Sequence, residues 1–103
     1  MKTIKILVDQ IEDEACSAEH YAKFAVQYKD EDKALADTFA KLAETELQHV
    51  DLLHAQVVRI IKAWQAKGNE VPPAIEAVYD YTHQKSIDHV ARVKILINMY
   101  YGR

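Results

Sequence analysis

The chain has 103 residues with only two Gly and two Pro, enough for one compact domain spanning 1–103 and too short for a second at roughly 100 to 200 residues per domain. Half of it is hydrophobic and 28% charged, with 13 Lys plus Arg against 16 Asp plus Glu, so the chain can fold, and it lacks the basic footprint a nucleic-acid partner requires. A single cysteine, Cys16, excludes an internal disulfide framework. Together with an N-terminus lacking a signal-peptide core and with no apolar run near the roughly 20 residues of a membrane span, it sets the expectation of a cytoplasmic protein with no membrane partner.

In chain order, the first predicted element is a helix over 3–29. Ile4, Leu7, Ile11, Ala15, Ala18, Ala22 and Ala25 recur at steps of three and four, the core face of an amphipathic helix. At 100° per residue from Ile11, Glu14 falls at about −60°, inside that stripe, whereas Glu12 and Glu19 fall at about 100° and 80°. Cys16, at about 140°, faces away and is no ligand candidate.

Lys29-Asp30-Glu31-Asp32-Lys33 is the first break, and its acidic residues suit the cap of a second helix over 32–67. The stripe here is Leu35, Phe39, Leu42, Val50, Leu53, Val57, Ile60 and Trp64. With Phe39 at zero, Glu46 falls at about −20° and His49 at about −80°, one turn apart on one face. The second break, Lys67-Gly68-Asn69-Glu70-Val71-Pro72-Pro73, places a glycine just past a helix end and prolines in the first turn of the next. A third helix over 73–101 carries Ile75, Val78, Tyr79, Val93, Ile97 and Tyr100, with His89 on the same side. The fold class is all-α, an antiparallel bundle of three long helices.

A carboxylate within an apolar stripe is costly unless paired or metal-bound, which singles out Glu14, Glu46 and His49. Glu14 and Glu46 lie equally far from residue 30, inside the acidic break, so an antiparallel hairpin brings them to one height. Tyr21, one to two turns beyond Glu14, can hydrogen-bond a ligand. His89 reaches a similar height on the third helix and is a rival ligand or a partner of a bound carboxylate, and His83 is a weaker one. His54 reads as solvated or interfacial.

Glu14 followed by Tyr21 and Phe24, then Glu46-Leu47-Gln48-His49 on the next helix, resembles the ferritin-like di-iron carboxylate proteins, rubrerythrins in particular. The resemblance covers roughly residues 4–64. Those four-helix bundles take a Glu from each of two helices and a Glu-x-x-His from each of the other two, so this chain carries half of the set. Encapsulated ferritins, which the hairpin also resembles, complete one site from two copies. The resemblance implies Glu14 as a terminal carboxylate, Glu46 as a bridge between two metals and His49 as an imidazole ligand. It further implies two iron ions, or manganese, at a site shared by a homodimer or higher oligomer. The implied chemistry is ferroxidase-like or peroxidase-like, oxidising Fe(II) with dioxygen or peroxide. Hard oxygen donors with one imidazole per metal agree with that choice of metal. The alternative is a non-enzymatic helical assembly subunit whose Glu/His network sets dimer register.

Overall fold

Asp32 starts the second helix by capping it. Its backbone is extended (φ −151°, ψ 91°) and its carboxylate accepts the Leu35 N–H at 3.1 Å, which satisfies one of the otherwise unpaired donors of the first turn. At the other end Gly68 takes a left-handed φ of 84° and donates its N–H to Gln65 at 2.9 Å, a geometry that costs residues with a Cβ. Pro73 then occupies the first position of the next helix, where its missing N–H costs nothing. The computed structural model describes residues 2–103 and contains α1 (Lys2–Tyr28), α2 (Lys33–Ala66) and α3 (Pro73–Tyr101), with no strand among the described residues. The all-α architecture and the three helices match the sequence reading, with ends within one or two residues.

α1 is the central element. Its buried residues are Ile4, Val8, Ile11, Ala15, Ala18, Ala22 and Ala25, a strict alternation of four- and three-residue steps that lays one continuous seam along the helix. On α2 the buried residues are Ala36, Ala40, Ala43, Val50 and Val57. The small residues gather toward the α1–α2 turn, where Ala25, Ala36 and Ala40 share a cluster with Tyr100 of α3. With only a methyl group between backbones, the two helices can approach closely there. The far end is filled by Ile4, Val8, Ile11, Val50 and Val57, with Ile75 and Tyr79 packed against them. α3 lies along another flank of α1, and its backbone approaches α2 far less closely. Its C-terminal end is tied down by two phenols, Tyr100 donating to Asp37 and Tyr101 to Glu44 at 2.7 Å.

The buried line of α2 differs from the expected stripe. The alanines face α1, while Leu35, Leu42 and Trp64 stay exposed and Phe39, Leu53 and Ile60 are half-buried. The large apolar residues occupy the flank beside the seam, a strip wider than α1 alone can cover. The molecule is a rod of 56 × 21 × 18 Å with a radius of gyration of 16.4 Å, against about 13 Å for a compact domain of this length. No described helix is long and apolar enough to cross a membrane.

Candidate metal centre

Midway along α1, the four-residue step from Gln10 to Glu14 puts both side chains on one flank, and the Gln10 amide donates to Glu14 Oε1 at 3.0 Å. That leaves Oε2 turned toward α2, where His49 Nδ1 lies 3.4 Å away. The same nitrogen is 3.7 Å from Glu46 Oε2, three residues earlier on α2. One donor atom from each of Glu14, Glu46 and His49 lies within 4.8 Å of the other two. The hairpin therefore brings together the three residues singled out by stripe and height. They are not deep in the core, however. The carboxylates are about one-fifth exposed and the imidazole nearly half, because they belong to the uncovered flank that also carries Leu42 and Leu53.

The donor set is compatible with a divalent metal. Ligand atoms about 2.0 to 2.2 Å from one ion lie about 3 to 3.5 Å from each other, so the observed 3.4 and 3.7 Å need only small closure. Three donors from one chain are half of the six residues that a dinuclear carboxylate site takes from its helices.

The remaining sequence candidates lie elsewhere. Tyr21 stacks its ring on Phe39, with centroids 6.1 Å apart, and packs against the central core cluster, so it serves as packing beside the site. His89 reaches the expected height on the opposite flank of α1. Its Nε2 lies 3.0 Å from Glu19 Oε2 and its Nδ1 3.9 Å from Glu12 Oε1. The reason is rotational, since Glu12 and Glu14 point about 160° apart around α1 and α3 occupies the Glu12 side. The expectation that placed His89 beside Glu46 and His49 is corrected accordingly. Cys16, expected to face away from the α1 stripe and to be no ligand candidate, is half-buried on that α3 side with its sulfur 3.8 Å from Glu12 Oε1, in one cluster with His89. Burial, and then the carboxylates of Glu12, Glu19 and Asp13, push its pKa up.

His83 is also remote from the triad. It stacks on His54 at 4.9 Å and on Tyr79 at 5.3 Å, and the Tyr79 hydroxyl sits 3.4 Å from His54 Nε2. These rings line a groove of about 360 Å³ between α2 and α3, where burial and then Asp80 push the Tyr79 pKa up.

Gln10 was not anticipated from the sequence; its only signal was the i, i+4 spacing to Glu14. No family model matches the chain, and neither a curated protein nor a solved structure matches it.

Proposed function

We propose that this chain is a ferritin-like di-metal carboxylate protein in which two copies meet across the α1–α2 flank and share one dinuclear site. The observation that carries the reading is where the triad sits: Glu14, Glu46 and His49 converge within a face whose apolar side chains, Phe24, Leu35 and Leu42 among them, remain 38 to 41% exposed. Total accessible surface supports it. A folded monomer of 11.8 kDa exposes about 5,900 Å², and this chain exposes 6723 Å². The surplus is comparable to the roughly 800 Å² that each partner buries in a standard interface. A two-fold axis through this face doubles the donor set to four carboxylates and two imidazoles and buries the apolar rim around it.

Two iron ions held there, or manganese in their place, would supply electrons from the divalent state to dioxygen or peroxide. The chain's own residues do the rest. Glu14 and Glu46 bring negative charge to offset two cations at close range, and His49 adds a neutral donor. Gln10 fixes one oxygen of Glu14 so that the other faces the metal. Phe24 and Leu42, once covered by the partner, keep water from the flanks and strengthen the electrostatics inside.

The test is metal analysis, with mass determination by sedimentation, of protein purified without chelator. The expected result is two iron or manganese ions per dimer, both lost in Glu46→Ala while helix content stays unchanged. A chain that folds and pairs normally with neither metal would sink the enzyme-like reading and favour the assembly subunit, in which the same triad only sets register.

A further inference from the structure

We propose a second divalent-cation site, of zinc type, between α1 and α3, with Glu12, Cys16 and His89 as its ligands and Glu19 holding the imidazole from the far side. Glu12 and Cys16 are one turn apart on α1, and His89 faces them from α3. Their donor atoms lie within 4.8 Å of one another, with 3.8 Å from Cys16 Sγ to Glu12 Oε1 and 3.9 Å from His89 Nδ1 to the same oxygen. In a tetrahedral site with metal–sulfur contacts of about 2.3 Å and metal–nitrogen or metal–oxygen contacts of about 2.0 to 2.2 Å, the ligand atoms stand about 3.3 to 3.6 Å apart. Side-chain shifts of about an ångström therefore close the site.

His89 is also incompletely satisfied where it stands. It is only 6% exposed, and its Nε2 has no hydrogen bond. Glu19 Oε2 is 3.0 Å from that nitrogen, but the approach is too poorly aligned for an N–H to be donated. Buried polar atoms are rarely left in this state. A cation on Nδ1 supplies the missing order: it fixes the proton on Nε2 and draws the ring into line with Glu19, the carboxylate partner that metal-bound histidines commonly have on their other nitrogen.

The charged groups around the cluster can accommodate a cation. Beside the three carboxyl-bearing neighbours of Cys16 stand the basic side chains of Lys85, 3.4 Å from Glu12 Oε1, Lys23, 3.6 Å from Glu19 Oε1, and Arg92, 4.0 Å from Glu19 Oε2. All three are more than half exposed and can swing into solvent when a metal takes Glu12. A thiolate, an imidazole and one carboxylate form a borderline-soft set suited to zinc or cobalt rather than calcium or magnesium, with water completing four-coordination. The site lies on the opposite flank of α1 from Glu14 and does not depend on how that centre is used.

The experiment is titration of the metal-stripped full chain with Co²⁺, read by electronic absorption. A thiolate-to-cobalt band that saturates at one Co²⁺ per chain, is discharged by Zn²⁺ and is lost in both Cys16→Ser and His89→Gln is the expected outcome. It should persist in Glu46→Ala, which removes a ligand of the other centre, so the two readings fail separately. The proposal is overturned if no such band forms, or if the band survives His89→Gln, which would mean an isolated thiol collecting metal. Should His89→Gln not fold, Glu12→Gln at the half-exposed edge gives the second test. Co²⁺ affinity is expected to fall roughly tenfold or more, and an unchanged affinity overturns the site.

Discussion

At the scale of single residues, polar side chains in this protein are placed by helical spacing and then aimed by a neighbour. Gln10 holds Glu14 Oε1 and so directs Oε2 at His49. Gln10→Leu is expected to leave the helices intact and weaken metal binding at the triad by about 10- to 100-fold, the usual effect of removing a group that orients a ligand; isothermal titration with Mn²⁺ would measure it. A second pair has a pH signature. The hydrogen bond to Asp37, followed by burial, pushes the Tyr100 pKa from 10.0 up to about 12, and the same bond pulls Asp37 below its usual value. A phenol whose folded pKa is raised contributes stability that is complete below the unfolded value near pH 10 and is lost as pH rises through about 12. The Asp37 contribution is present above its ordinary pKa and is lost as pH falls through the lowered one. Denaturant titrations of the wild type should therefore lose stability between pH 10 and 12 more steeply than those of Tyr100→Phe. Parallel slopes for the two proteins would show that the phenol contributes nothing.

Among the elements, the caps and breaks were legible because they depend on local chemistry. Asp32, Gly68 and Pro73 act within one turn of their own backbone, and no distant contact is needed to read them. Asp32→Ala is expected to cost about 0.5 to 2 kcal/mol in chemical denaturation, the range for a lost N-cap. The rotation of α2 was not legible in the same way. Large apolar residues marked the stripe as Leu35, Phe39 and Leu42, but helix approach is governed by the smallest residues, and Ala36, Ala40 and Ala43 took the seam. Ala40→Leu should destabilise by about 1 to 3 kcal/mol, since a closely packed seam has no room for three more carbons. A neutral result would show that α1 and α2 can separate without cost.

At the scale of the whole molecule, a rod of three helices leaves large apolar side chains of one flank exposed. Leu42 is 38% exposed beside the triad, so Leu42→Lys can be solvated in a single chain and is buried unfavourably in a pair. It should convert a dimer to a monomer in sedimentation with little change in helix content, and iron or manganese should be lost with the pairing. A variant that stays dimeric and metal-bound would place the partner on another face. The amino-acid sequence by itself determined three helices, their ends, and the common height of Glu14, Glu46 and His49, because those follow from 3.6-residue periodicity, capping chemistry and the 1.5 Å rise. Only the tertiary structure decided which flank of α1 each partner helix occupies. That choice sent His89 to Glu12, Cys16 and Glu19 instead of to Glu46. Position around a helix axis in a bundle depends on how closely whole faces can pack, and that closeness is a property of all three helices together.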